Sequence, residues 1–271
     1  MKISDKQSTS CPPAAKFLFS THHPVHSLHP TRIRIGNLCW LAYPALLTPQ
    51  AYAILEHPDA FLLNQAQLLK HARGSIVGRA HGLVLKRHNF YRLSTHLKNL
   101  FRRGKGILEF HRASRLLQAG IPTVVPLAAA DYRRSGILWH SYLLLQEIPA
   151  AHTLNEWKGN PYEAAHALAR LLARLHKQGF YHRDLKSSNL LFDSHGRWYL
   201  IDLDGLHIRR RISLRRAVKD LQRLAQTAKE IPSCTPAVQR AFLRVYCRER
   251  GLHPHQLRTR LLFKCCRSFF S

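Results

Sequence analysis

The string His182-Arg183-Asp184-Leu185-Lys186-Ser187-Ser188-Asn189 constrains this chain more than any other stretch. It meets every fixed position of the pattern H-R-D-L-x-x-x-N, which chance supplies in a chain of this length on the order of once in ten thousand. The loop carries a carboxylate, then a cation, then a carboxamide. Thirteen residues beyond Asn189, the β-prone string Trp198 to Ile201 closes on a second carboxylate, Asp202. A hydroxyl that attacks phosphorus needs a carboxylate to orient it and take its proton, and a divalent cation between phosphates needs hard oxygen ligands. Asp184 suits the first role, Asn189 and Asp202 the second.

The surrounding pattern sets these residues in a helical half. Ala165, Leu168, Leu171, Leu172 and Leu175 recur at helical spacing within Tyr162 to Gln178, and Gly179 stops the helix. A polar loop follows, then short strands at Leu190 to Phe192 and Trp198 to Ile201 around a turn at Asp193 to Gly196. Helices are expected from about Ser213 to Lys229 and from Thr235 to Arg250. Upstream, Ser75-Ile76-Val77 and Leu83-Val84-Leu85, punctuated by Gly74, Gly78 and Gly82, predict an antiparallel hairpin within Gln65 to Asn89. Ile107, Leu108, Phe110, Leu116 and Leu117 predict a helix ended by Gly120-Ile121-Pro122. Val124 to Ala129 and Trp139 to Leu145 read as strands, the second leading into an exit or hinge at Gln146 to Pro149. The first half is thus a small sheet with one helix.

Charge separates this chain from an ordinary enzyme: Lys and Arg number 42 against 15 Asp and Glu, a formal +27. Such an excess favours polyanionic partners. With 45% hydrophobic and 21% charged residues the chain buries a core, so global disorder is excluded. The six cysteines have no C-x-x-C pair and read as reduced thiols of the cytosol. Cys265-Cys266 could carry lipid, against the plainer reading as inert thiols. Leu38 to Leu47, the most apolar stretch, is broken by Pro44 and is half of the ~20 residues that span a bilayer. Neither a transmembrane helix nor a secretory signal is expected. The Ser-, Pro- and His-rich residues 1–30 read as a flexible tail, and the tract His22, His23, His26, His29 as solvated, with no metal site.

In this order, the loop and Asp202 resemble the machinery of protein-kinase-like phosphotransferases. The resemblance implies an α+β, bilobal protein-kinase-like fold with a small β-rich N-lobe over 31–149 and a helical C-lobe over 150–271, one kinase-like domain. It implies ATP and Mg²⁺ as cofactors, with Asp184 as base and Asn189 and Asp202 as metal ligands. Lys86 ends Leu83-Val84-Leu85-Lys86, similar to the V-A-I-K strand whose lysine contacts the α- and β-phosphates. Glu109, 23 residues on, is its expected partner. Alone, Lys86 reads as a solvated edge residue and Glu109 as a helix-surface charge. Gly74 lies in the segment expected to cover phosphates, and Glu147 marks the hinge, where backbone groups read adenine. Lys186 is placed to steady the transferring phosphoryl group or is a plain loop charge. His182 and Arg183 are expected to hold the loop, with Asp220 anchoring it from the next helix.

The departures narrow the family. Asp202-Leu203-Asp204-Gly205 stands where D-F-G is expected, no full G-x-G-x-x-G precedes Lys86, and no A-P-E follows. Only 17 residues separate Asp202 from Asp220, so no long activation segment fits. With Leu-Lys-Arg-His-Asn after the hairpin and Leu-Glu-Phe-His before Ala119-Gly120-Ile121-Pro122, residues 65–250 resemble the bacterial lipopolysaccharide core kinases. That resemblance implies phosphorylation of Kdo or heptose in the inner core, a core glycolipid acceptor, and a cytoplasmic enzyme peripheral to the inner-membrane face. The intact loop spacing is closer to the Kdo-kinase type. Arg102, Arg103, Lys105, Arg209, Arg210, Arg211, Arg215 and Arg216 would then serve an anionic membrane surface, each gaining about 1 kcal/mol there. The rivals are a protein or small-molecule kinase of the same fold, and a catalytically silent basic nucleic-acid- or membrane-binding module. Nucleic acid is not the expected partner.

Overall fold

Strands that bury one face alternate their side chains, and β5 (Leu83–Asn89) lies at the heart of such a sheet. A computed structural model of the protein describes residues 28–90 and 102–252. Its main sheet has seven strands, all antiparallel, in the order β1-β2-β6-β7-β5-β4-β3. The other six are β1 (Thr31–Ile35), β2 (Leu38–Ala42), β3 (Gln67–Ala72), β4 (Ser75–Ala80), β6 (Pro126–Arg134) and β7 (Ile137–Gln146). Register sets the two faces: Lys86 pairs with Val77 and Leu143, and Val84 with Arg79 and Leu145, so these side chains share one face. Arg87 pairs with Tyr142 on the opposite face.

Residues 65–89 form three strands rather than the expected hairpin. The extra strand, β3, is exposed along its whole length on the sheet's edge, so it has no apolar alternation to betray it. Its bulge between Leu68 and Lys70, and the arginines Arg32 and Arg34 on β1 at the other edge, discourage pairing with another chain. The hairpin β1–β2 and the short helices α1 (Pro49–Glu56) and α2 (Pro58–Asn64) are also additions to the expected layout. Ile54, Leu55, Phe61 and Leu62 join the cluster that contains Leu85 and Leu144, closing the sheet's second face. Asp59 of α2 fixes that contact by accepting from Arg87 at 2.6 Å and from the Tyr142 hydroxyl at 3.0 Å.

The helix α3 (Lys105–Gln118) packs on β6 and β7. Its first turn is caught by the sheet: Gly104 N–H donates to Asp131 and Gly106 N–H to Ser141 Oγ, at 2.8 and 2.9 Å. Gly106 permits the approach, since a Cβ there would fall on the Tyr142 carbonyl. Phe110 and Leu117 of α3 enter the upper core and Ala113 and Leu116 the lower one, so one helix spans both clusters.

The lower half is built on α4 (Pro161–Lys177), begun by the Asn160 side chain accepting from Tyr162 N–H at 2.9 Å and packed on α6 (Pro236–Glu249). α5 (Leu214–Ala228) lies beside them, so the three expected helices stand within a residue or two of their predicted bounds. Two small sheets sit against this bundle: β11 (Trp198–Leu200) and β8 (His152–Thr153) flank β10 (Leu190–Phe192), and β9 (Phe180–His182) pairs with β12 (Leu206–Ile208). Between Ile208 and the start of α5 only residues 209–213 intervene, which leaves no long activation segment. Among the described residues no helix is long and apolar enough to cross a membrane. Residues 1–27 of the tail expected over 1–30, with the histidines His22, His23 and His26, and Cys265-Cys266 lie outside the described residues.

Candidate active site

A cleft of about 530 Å³ opens where the main sheet meets the helical half. Val77, Val84 and Leu145 line it from the sheet, Leu191 and Ile201 from the lower half, and Gln146 to Ile148 along its back. Apolar walls with a few polar groups at one end suit a flat ring carrying a charged tail.

Lys86 reaches that polar end. Its Nζ lies 3.0 Å from both Glu109 oxygens and 2.9 Å from Asp202 Oδ1. Glu109 is 3% exposed, and His88 Nε2 also stands 3.0 Å from it. Burial alone would pull the lysine's pKa down, but the summed attraction of Glu109 and Asp202 raises it. Asp202 obeys the same balance with opposite sign: burial pushes its carboxyl up, and Lys86, helped by Lys186, holds it below the ordinary range. Both groups are therefore charged near neutrality.

Asp202 sits in the left-handed region at φ +55°, costly for most non-glycine residues and tolerated by Asp. The loop beneath holds it there. His182 Nε2 donates to the Asp202 carbonyl at 2.9 Å, while Nδ1 accepts from Asp184 N–H at 3.3 Å. One neutral tautomer makes both bonds, and burial keeps the ring neutral by lowering its pKa. His182 N–H in turn donates to Asp220 of α5 at 2.6 Å. Asp220 is wholly buried and also faces His176 and Arg223. The expected loop anchor is in place.

Asn189, 4% exposed, donates from Nδ2 to the Asp184 carbonyl at 3.0 Å, which leaves its Oδ1 as the atom free to act as a ligand. Ile201 N–H donates to the Asn189 carbonyl at 2.9 Å, tying the loop to the strand that ends at Asp202. Lys186 Nζ stands 3.1 Å from Asp184 Oδ2, whose carboxylate is exposed.

Two sequence-assigned positions stand differently. Gly74 occupies the β3–β4 turn, where its carbonyl accepts from Asn89 N–H at 3.0 Å, and it does not line the cleft. Glu147 is at the back of the cleft, but its N–H donates to the Gly82 carbonyl at 2.9 Å and its side chain binds Arg79 at 3.0 Å. Its amide is thus not free to read a ring edge.

Sequence reasoning passed over His88 and Arg112, and read Lys105 only as part of a basic cluster facing an anionic surface. His88 flanks Glu109, Lys105 pairs with Asp204 at 2.5 Å, and Arg112 donates to the carbonyls of Leu203 and Asp204 at 3.2 and 2.9 Å. Arg112 lies three residues after Glu109 on α3, so helical spacing was its one signal. Through these bonds Asp204, in place of a glycine, pins the turn after Asp202 to α3.

Comparison with known proteins agrees with this arrangement. The chain is 29% identical over 141 residues to a 3-deoxy-D-manno-octulosonic acid kinase of Xylella fastidiosa, covering 51% of this chain and 52% of that one. It is 36% identical over 107 residues to the enzyme of that name from Xanthomonas campestris pv. campestris, 38% of this chain and 41% of the relative. The matches thus span about half the length of these relatives or less. Among solved structures, WaaP in complex with acyl carrier protein superposes with a TM-score of 0.55 at 21% identity, over 76% of this chain and 90% of that one. That likeness establishes a kinase-like fold. Residues 85–246, from the strand of Lys86 to the helix that packs on α4, match the lipopolysaccharide kinase (Kdo/WaaP) family, and with over half its length so matched the chain belongs to that family.

Proposed function

We propose that this chain is an ATP-dependent kinase that phosphorylates a sugar hydroxyl, on Kdo or heptose, of the lipopolysaccharide inner core. The observation that carries the reading is the bridge from Lys86 to Glu109 and Asp202, with distances of 2.9 to 3.0 Å across 116 residues of chain. A buried glutamate, a strand lysine and an aspartate in a strained conformation are expensive to hold together for stability alone. Their geometry suits a polyphosphate: Lys86 exchanges Asp202 for α- and β-phosphate oxygens, while Glu109 keeps its ammonium in position.

The donor set fits Mg²⁺. Asp202 offers a carboxylate and Asn189 a carbonyl oxygen aimed by its own amide bond, both hard oxygen ligands of the kind that share Mg²⁺ with phosphates and water. When bound, the ion neutralises charge on the β- and γ-phosphates. The chain's own residues do the rest. Val77, Val84, Leu145, Leu191 and Ile201 enclose the base. Asp184, whose carboxylate is exposed, orients the acceptor hydroxyl and takes its proton. Lys186, 3.1 Å from Asp184, follows the transferring phosphoryl group. His182 and Asp220 act on the loop's position.

Work at the cytoplasmic face of the inner membrane, through basic positions such as Arg210 and Arg211, accords with the +27 charge. The test is acceptor profiling with γ-labelled ATP, offering dephosphorylated core glycolipid and a basic protein together. Label in the glycolipid alone, needing Mg²⁺, supports the reading. Label in the protein alone overturns the acceptor assignment.

A further inference from the structure

Carboxylates are scarce in this chain, and most of the described ones are engaged. Asp59, Asp131, Asp193, Asp202, Asp204, Asp220, Glu109 and Glu147 each face a Lys or Arg. Asp5 is the one acid outside residues 28–90 and 102–252. A patch of cations with no carboxylate in reach is therefore drawn to counter-charge outside the protein.

Such a patch lies on the β9–β12 ribbon. The register pairs Leu206 with His182, His207 with Tyr181 and Ile208 with Phe180. Phe180, His182 and Leu206 turn into the core, so the odd-numbered residues share the outward face. That face carries Tyr181, Arg183, His207 and Arg209. The positions across from the two arginines are glycines: Arg183 N–H donates to the Gly205 carbonyl at 2.9 Å, and Arg209 N–H to the Gly179 carbonyl at 2.8 Å. No side chain there screens either guanidinium. Tyr181 and His207 stack with ring centres 5.2 Å apart, and Arg216 of α5 covers the tyrosine ring at 5.6 Å. Arg183, Arg209 and Arg216 are exposed, and among the described residues none of them has an ion pair. Burial first, and then the fields of Arg112, Arg183 and Arg209 against that of Asp220, lower the pKa of His207.

The patch adjoins the reacting loop. Arg183 precedes Asp184, and a Cβ on Gly205 would stand 3.1 Å from Asp184 N and 3.3 Å from its Cβ. With only residues 209–213 between β12 and α5, no activation segment covers it.

We infer that the outward face of the β9–β12 ribbon, Arg183, His207 and Arg209 with Arg216 beside them, binds an acidic group of the acceptor, a carboxylate or phosphate monoester, next to Asp184. The inference rests on the sugar-kinase reading and names what that reading leaves open, the chemistry that selects the acceptor. Planar guanidiniums on a rigid ribbon match the paired oxygens of either group. Holding that group fixes the neighbouring hydroxyl against Asp184.

The test uses the full chain, the doubly substituted Arg209→Gln/Arg216→Gln protein, and de-acylated core oligosaccharide, which removes membrane contacts. One sample keeps its carboxylates and phosphates; in others the carboxylates are reduced to alcohols or the phosphates removed. Calorimetry gives affinity, and steady-state transfer gives kcat and KM. The proposal expects the double variant to bind the acidic oligosaccharide at least tenfold more weakly, with a matching rise in KM. Its ATP affinity and slow ATP hydrolysis should be unchanged. The sample lacking the recognised group should bind both proteins equally weakly, and so identifies carboxylate or phosphate. Equal affinity of both proteins for the acidic oligosaccharide overturns the proposal while transfer by the unsubstituted chain leaves the kinase reading intact. A loss confined to anionic vesicles also overturns it, assigning the patch to the membrane. Absence of transfer to any core sample defeats the kinase reading itself, and the proposal with it.

Discussion

His182 Nε2 donates to the carbonyl of Asp202 at 2.9 Å, so one imidazole joins the loop bearing Asp184 to the residue that faces Lys86. The same ring accepts from Asp184 N–H, which only a neutral imidazole does. Burial lowers its pKa below the ordinary value of 6.5. An unfolded chain therefore binds the proton first as pH falls. The stabilisation is whole above about pH 6.5 and drains as pH falls toward the lowered native value. Buried His176 acts in the same direction. Thermal melts between about pH 8 and about pH 5 should show this decline, and His182→Gln should flatten part of it. An unchanged slope in that variant would remove His182 from the explanation. Loss of the two loop bonds should itself cost about 1–3 kcal/mol.

Lys86→Met leaves Glu109 buried without its main partner. We expect loss of phosphoryl transfer and a fall in stability of about 3 kcal/mol. Adding Glu109→Gln removes the stranded charge, so the double variant should melt above the single one while staying inactive. Denaturant titration of both proteins checks the order, and a double variant less stable than Lys86→Met would contradict it.

Asp202 combines charge with a left-handed backbone, and two substitutions separate these. Asp202→Asn keeps a side chain tolerant of positive φ and should fold but fail to transfer phosphate. Asp202→Val adds backbone strain, and should unfold about 1–2 kcal/mol more readily than Asp202→Asn. Equal stability of the two would show that the strained conformation is not retained in solution.

Gly106 is where α3 comes closest to the sheet, with Ser141 Oγ 2.9 Å from where a Cβ would stand and the Tyr142 carbonyl nearer still. Gly106→Ala should push the helix outward, costing about 1–3 kcal/mol. Because Glu109 rides on the next turn, the variant should also lower ATP affinity. A destabilised protein with unchanged ATP affinity would separate helix packing from Lys86 positioning.

The helical half was legible because its signals are local. Apolar spacing marks α4, α5 and α6, and glycine at 179 marks a stop. Asp184, Asn189 and Asp202 were legible because their loop is read at fixed spacing. The edge strand β3, exposed throughout, carries no periodicity, and β1, β2, α1 and α2 lack sequence signals tied to the site. Gly74 and Glu147 illustrate another limit. A glycine in the right interval does not say whether its turn reaches the cleft, and a hinge position does not say which amide the sheet has already taken. His88 and the Arg183–Arg209 face depend on strand register, which spacing alone does not supply.

The most direct test of the central claim is single-turnover transfer from γ-labelled ATP to core glycolipid by the protein and by Asp184→Asn. That carboxamide keeps the loop's size and cannot take a proton. The expected result is a fall in the transfer rate of about 10²- to 10⁴-fold with ATP affinity within about twofold of the unsubstituted protein. Transfer at an undiminished rate by Asp184→Asn would contradict the assignment of Asp184 as the base.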